Sequence, residues 1–422
     1  MTPHADAAAR ATDGDPLGRR LSSTPAMPAR PASDLAASST LVQEIRMVRP
    51  RRPLGRTLLA LPVVACLAAL ALLRPAPAEA AANQFCSGEY LAVGANWSLC
   101  WEIRANEGLA ITHAFYTVPQ SGFDRRVLSD ATVAQVFVPY EVGQPRYHDV
   151  AYGLGAAMQR LNAQIDCPHG QLLAGGKVCR ELEDRGLTQR YCLEGNCSAR
   201  RGKALVLWSS IQTGAYNYLQ RWEFRDDGSI HPAMGLAGAL QFGNVAHTHN
   251  VYWRLDFDIG DPEHDRVEEF VRLPKAGSNG LKGVSTWNQL LGETYRPTEL
   301  FTFRKWRISD TVQKNALGKP WSYEIIPSPG DGSLRTNPSE GFLRGEFWVT
   351  RAHSNERFVS TDQADLLSGY LNGEAVDDQD LVAWYALHAY HEIRSEDQPY
   401  MPVEWVGFEA RPRDFFDQNP MQ

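Results

Sequence analysis

Residues 247–259 read HTHNVYWRLDFDI, with two histidines on alternate positions and then two aspartates on alternate positions. In a strand, successive side chains point to opposite faces. One face then carries His247, His249, Val251, Trp253, Leu255, Phe257 and Ile259, and the other Thr248, Asn250, Tyr252, Arg254, Asp256 and Asp258. The histidines extend the apolar face and the aspartates lie on the polar one. The strand is therefore expected to serve two sites, one buried and one near the surface. Two imidazoles on one face lie close enough to share a metal ion, and burial against Val251 and Trp253 keeps them neutral, which is the ligating form. A third ligand has to come from elsewhere, and His391, His388 and His353 are the candidates.

Similar strand-like runs fill the rest of the chain: VAQVFVPYEV, ALVLWSSIQ, YNYLQRWEF, GEFWVTRA and DLVAWYALHAY. Turns rich in Gly, Pro and Asp separate them, as in RDDGSIHP and PSPGDGS. Helical periodicity is confined to AAMQRLNAQI. No linker, repeat or low-complexity run interrupts the sequence after about residue 83. Residues 81–422 are thus expected to form one mainly β domain, a large antiparallel β-sandwich with a buried region able to hold a cofactor.

The first 80 residues read differently. Residues 57–73, TLLALPVVACLAALALL, are apolar, follow the basic run RMVRPRRPLGR and precede PAPAEAAAN, with Ala78-Glu79-Ala80 as a cleavage site. That order is a signal peptide, spanning 47–80, and it implies a secreted or periplasmic protein with no stable membrane anchor after cleavage. Residues 1–46, rich in Ala, Ser, Pro and Asp, read as a disordered leader or a misassigned start ahead of Met47. Ten arginines against six acidic residues give the leader +4, so the remainder of a chain of net charge −7 carries −11. Such an acidic domain is a poor partner for nucleic acid. After Cys66, six cysteines remain, and an even count in an oxidising compartment points to disulfides. Pairing sequence neighbours gives 86–100, 167–179 and 192–197.

Several blocks across residues 95–420 resemble, in the same order, the catalytic domain of the topaquinone-dependent copper amine oxidases. HTHNVYWRLDFDI resembles the family's H-x-H strand. DLVAWYALHAYHEIRSEDQPYMPVEWVGFEARPRDFFDQNP resembles its C-terminal block, in which a histidine follows a tryptophan by seven residues, as His391 follows Trp384. GEFWVTRAHSNERF and VCRELEDRGL are similar to two further blocks, and in the family the cysteines matching Cys167 and Cys179 pair. The resemblance implies a minimal catalytic unit without the family's N-terminal domains. It implies a copper ion held by His247, His249 and His391. It also implies a peripheral calcium site built from Asp256, Asp258 and Asp380 with carbonyls of Phe257 and Leu381.

The family oxidises a tyrosine to topaquinone within a Thr-x-x-Asn-Tyr-Asp/Glu motif. QTGAYNYLQRWEF is similar to it and puts the precursor at Tyr216, with Tyr218 as the neighbouring rival. Gln212, Ala215 and Asn217 stand where the family has Thr, Asn and an acid. RYHDVAYGLG resembles the segment supplying the catalytic base, here Asp149, with His148 as the alternative. Tyr140 in VFVPYEV matches a tyrosine that hydrogen-bonds the quinone. The implied activity is oxidation of a primary amine by O2 to aldehyde, hydrogen peroxide and ammonia. The alternative is a copper-binding member of the same fold without quinone chemistry. Family members dimerise through long hairpin arms, and the short interval from Tyr216 to His247 implies a homodimer less entwined than the family's, or a monomer.

Overall fold

The computed structural model describes residues 81–141, 145–243, 245–274, 283–299, 304–328 and 340–422. The expected leader, the signal peptide and Cys66 lie outside the described residues, as does most of PSPGDGS. Among the described residues the chain builds two large antiparallel sheets, of nine and eleven strands. The first sheet places its strands in the order Tyr90–Gly94, Trp97–Arg104, Gly108–Thr117, Asp124–Pro139, His247–Phe257, Leu381–His391, Phe347–Arg351 and Thr294–Arg296. In the second, Tyr216–Arg225 lies between Asn196–Thr213 and Ile230–Gly238. The expected β-sandwich is the observed architecture, and every strand-like run quoted above contributes to a strand.

The strand Tyr216–Arg225 shows why these residues choose this structure. Its burial alternates residue by residue, with Tyr216, Tyr218, Gln220, Trp222 and Phe224 facing inward. A tight turn at Gly214-Ala215, with Gly214 at φ +60°, starts the strand at Tyr216. Gly238 lies opposite Tyr216 at φ +107°. A Cβ at Gly238 would sit 2.5 Å from the Ala215 carbonyl and 2.9 Å from Tyr216 Cα, so only glycine lets the two backbones approach this closely.

The His247–Phe257 strand corrects one expectation. Its histidine face joins the main core with Val251, Trp253, Leu255 and Phe257. On the opposite face a second core, including Tyr252, Phe342, Leu343, Trp348 and Trp384, covers the middle of the strand. Of the aspartates, Asp256 and Asp380 are half-buried and Asp258 is 2% exposed. A central strand with both faces covered loses the contrast that alternation normally reports. Truncating one of its large anchors, such as Trp253, would cost about 3–5 kcal/mol.

AAMQRLNAQI forms no helix. Its residues lie along the second sheet instead: Gln159 N donates to Ser210 O, Leu161 N to Gly176 O, and Met158 bridges to Ile211. The Asn162 side chain accepts from Gln164 N and Ile165 N, an Asx-type turn that competes with helix. The three disulfides are Cys86–Cys100, Cys167–Cys179 and Cys192–Cys197, the pairs expected from sequence neighbours. The last closes the tip of a long hairpin, Val178–Leu193 with Asn196–Thr213. This hairpin lies ahead of Tyr216, outside the interval from Tyr216 to His247. No helix among the described residues is long and apolar enough to cross a membrane.

Candidate active site

The strand pairing brings His247 directly opposite His391, with His249 one step along the same face. His247 Nε2 lies 3.1 Å from His249 Nε2 and 3.3 Å from His391 Nδ1. The three ligand atoms fall within 4.8 Å of one another. The other two candidates are elsewhere. His388 points to the opposite face, where Nδ1 meets Asn250 Oδ1 at 2.7 Å, and His353 is paired with Glu374 at 2.8 Å.

Their outer nitrogens fix the tautomers. His247 Nδ1 faces the Val245 carbonyl at 3.0 Å, and His391 Nε2 faces Asp397 Oδ2 at 3.0 Å, so both of these nitrogens carry the proton. The inward nitrogens, His247 Nε2 and His391 Nδ1, therefore turn lone pairs toward each other, with the Tyr216 hydroxyl 2.7 Å from the first. A metal ion among the three rings would accept these lone pairs. Burial holds His247 down, to about 4, and His249 far below the usual imidazole range, which keeps both rings neutral. Asp397, 1% exposed, was not found from the sequence. It also accepts from Arg394 N at 2.7 Å. Its only signal was a carboxylate six residues beyond His391, which gains meaning once the chain turns back after the strand.

Tyr216 Oη lies 2.7 Å from His247 Nε2, and its ring stands edge-on to both His247 and His249. Tyr218, two residues on and on the same face, points instead to Asp149, with Oη donating to Oδ2 at 2.9 Å. Tyr140 donates a hydrogen bond to Tyr216 and its ring lies 4.5 Å from that of His247. Burial raises the Tyr216 hydroxyl to about 12. Asp149, Tyr140, Tyr216 and Tyr218 line one pocket together with Tyr147 and Gln241. A second cleft reaches Tyr216 from the side of His249, His391 and Asp397.

Asp149 and His148 are separated by a change of backbone. The strand ends at His148, whose ring turns to Ser360 at 2.8 Å. A helical turn, Asp149–Tyr152, begins at the next residue and swings Asp149 under Tyr218. Asp149 is 2% exposed, and its Oδ1 has no partner among the described residues. Burial pushes this carboxyl up to about 7, against the pull of the Tyr218 hydrogen bond.

At the far end of the strand the carboxylates of Asp256, Asp258 and Asp380 also lie within 4.8 Å of one another. Arg126 meets Asp258 at 2.8 Å and Arg254 meets Asp256 at 3.3 Å. Burial nonetheless raises Asp258 to about 7 and Asp380 to about 6. Phe257 and Leu381 are the chain neighbours of these aspartates.

Comparison with known proteins agrees with this geometry. The chain is 25% identical over 384 residues to a primary amine oxidase of Arthrobacter sp. (strain P1), covering 77% of this chain and 59% of that one. It is 28% identical over 387 residues to a histamine oxidase of Arthrobacter globiformis, covering 77% of this chain and 56% of that one. The chain thus spans less than two thirds of the length of these relatives. A crystal structure of a copper-containing benzylamine oxidase from Hansenula polymorpha shares the fold, with TM-score 0.68 at 20% identity over 79% of this chain and 62% of that one. The family model for the copper amine oxidase enzyme domain matches residues 91–246 and 241–422. The chain belongs to the copper amine oxidase family.

Proposed function

We propose that the chain is a copper- and topaquinone-dependent oxidase of primary amines, turning amine, O2 and water into aldehyde, hydrogen peroxide and ammonia. The observation that carries this reading is Tyr216 Oη at 2.7 Å from His247 Nε2, where three imidazole nitrogens converge. An all-nitrogen donor set with lone pairs turned inward suits copper. The names of the relatives, primary amine oxidase and histamine oxidase, support the substrate class.

His247, His249 and His391 would hold the copper, and Tyr216 would be the topaquinone precursor. Bound copper and the quinone would supply the oxidising power and an electrophilic carbonyl. The chain's own residues do the rest. Asp149 takes the proton from the substrate carbon next to nitrogen, and a carboxyl raised to about 7 is matched to that task near neutral pH. Tyr218 orients Asp149, and Tyr140 holds the oxygen of Tyr216.

Three readings accompany this one. Export is supported by the three disulfides and by the basic, apolar and small-residue order of the leader. A homodimer is supported by the long hairpin, whose outer half exposes Leu187, Tyr191 and Leu193. Calcium at Asp256, Asp258 and Asp380, with the carbonyls of Phe257 and Leu381, is supported by an all-oxygen donor set.

The test is a mass spectrum of the Tyr216 peptide from copper-loaded protein exposed to air, read beside the visible absorbance and the colour formed with phenylhydrazine. Conversion of Tyr216 is expected, and Tyr216→Phe should lose both optical signals while keeping copper. An unmodified Tyr216 at full copper occupancy would instead favour a copper-binding member without quinone chemistry. The unusual Gln212, Ala215 and Asn217 give that second reading its footing.

A further inference from the structure

The helical turn that carries Asp149 is held by side chains lying outside the pocket. The short strand Arg146–His148 pairs with Asp124–Pro139 and sets His148 opposite Phe137. Two further residues in the same register would set Val150 opposite Gln135. The strand stops at His148 instead, and Asp149–Tyr152 turns helical. The first N–H groups of a helical turn have no partner within it, and a buried one must find another acceptor. The buried Val150 N donates to the side chain of Gln135, at 3.1 Å from Oε1. The Val150 carbonyl accepts from Asn106 Nδ2 at 3.0 Å. Both backbone groups of the residue after Asp149 are thus held by side-chain amides.

The residue before Asp149 is tied to the same place. His148 Nδ1 meets Ser360 Oγ at 2.8 Å. Gln135 Nε2 donates to the Ser360 carbonyl at 2.9 Å and to Ser360 Oγ at 3.1 Å. Gln135 is 0% exposed, and its Oε1 accepts a second bond, from Val136 N at 3.0 Å. A fully satisfied buried amide is rigid. The series His148, Ser360, Gln135, Val150 therefore brackets Asp149 on both sides. Alternation places Gln135 on the face of its strand that carries Phe137, while Val138, on the other face, lines the pocket. The Asp149 carboxylate has one side-chain bond, to Tyr218 at 2.9 Å, and its Oδ1 has no partner among the described residues. Its aim thus depends on where the backbone turn is held.

We propose that Gln135 is a positioning residue for the proton acceptor. From the face of its strand opposite the pocket, and without touching substrate, it fixes the switch from strand to helical turn that aims Asp149. A displacement of about 1 Å in a reacting group can cost up to about 100-fold in rate, so a clasp of this kind bears directly on turnover. The proposal rests on the reading of Asp149 as the proton acceptor, and the experiment separates the two.

The test compares the copper-loaded, air-exposed chain with Gln135→Leu, which keeps the bulk of the side chain but offers no hydrogen bond. Quinone per chain is counted with phenylhydrazine, and the anaerobic single-turnover rate with benzylamine is expressed per quinone. Gln135→Leu should lose about 10-fold in that rate at unchanged copper and quinone content. In an Asp149→Asn background the same substitution should cost nothing more, because its effect runs through Asp149. Hydrogen exchange across residues 148–153 should be faster in Gln135→Leu. An equal loss in both backgrounds would make the role merely structural and overturn the proposal, as would an unaltered rate or unaltered exchange. Should Gln135→Leu not fold, Gln135→Asn keeps an amide one methylene too short to reach both Val150 and Ser360, and an unaltered rate there refutes the proposal. Quinone present with Asp149→Asn as fast as the unaltered chain would sink the reading of Asp149, and the proposal with it. An unaltered chain that gains no quinone fails earlier, at the oxidase reading, and the proposal falls there too.

Discussion

Tyr218→Phe tests how the fold sets the proton acceptor. The Tyr218 hydroxyl donates to Asp149 Oδ2 at 2.9 Å, and Asp149 Oδ1 has no partner among the described residues. The bond favours the charged carboxylate, while burial favours the neutral acid and dominates, leaving the group at about 7. A hydrogen bond to a charged group contributes about 1.5–3 kcal/mol, and one pH unit corresponds to about 1.4 kcal/mol. Removing the hydroxyl while keeping the ring should therefore raise Asp149 by roughly 1–2 units. The acceptor must be deprotonated to act, so the acid limb of kcat/KM moves to higher pH. At pH 7 the active fraction falls from about a half to between a tenth and a hundredth, a loss of roughly 5- to 50-fold. Activity should recover as the pH is raised. The assay is a peroxide-coupled pH profile of kcat/KM for both proteins, with copper content and quinone absorbance measured alongside. An acid limb that stays in place or moves to lower pH, with both cofactor signals intact, would refute the reasoning.

Asp397→Asn should weaken copper binding about 10- to 100-fold, because the carboxylate that fixes the His391 tautomer is lost; competitive titration with a chelator measures this, and unchanged affinity would deny Asp397 its positioning role. Gly238→Ala should destabilise the protein by about 1–3 kcal/mol in a denaturant melt, since it places a Cβ against backbone at a φ that favours glycine. A melt superimposable on that of the unaltered chain would show that the Tyr216 and Gly238 backbones can separate without cost.

The sequence made the histidines legible because strand alternation is rigid: His247 and His249 had to share a face. The seven-residue step from Trp384 selected the strand position that lies opposite His247. Asp149 was harder to read. Alternation put it on the wrong face relative to His148, and only the change from strand to helical turn, a rotation of about 100° per residue in place of 180°, brings it to Tyr218. Alternation also said which face Asp256 and Asp258 share, but not what lies over it. What meets them there includes groups remote in sequence: Arg126 for Asp258, and Asp130, which shares Arg254 with Asp256. Asp397 escaped for a related reason: it owes its position beside His391 to a reversal of the chain and leaves no local pattern. AAMQRLNAQI carried helical spacing, yet its backbone donors found better partners at Ser210 and Gly176.

The strand order has a consequence for when chemistry can begin. Leu381–His391 lies between His247–Phe257 and Phe347–Arg351, so one of the latest strands to be made sits in the interior of its sheet. Pairings between segments so distant along the chain are slow to form, because the intervening loop must close before any contact rewards it. Until that strand is seated, His247 and His249 have no third imidazole, and the nascent protein holds Tyr216 beside only two of the three nitrogens. The metal-binding pocket is thus completed by the same event that fills the middle of the sheet. A chain that stalls or misfolds before its last segment lacks the full triad, which ties any oxidation of Tyr216 to the finished fold.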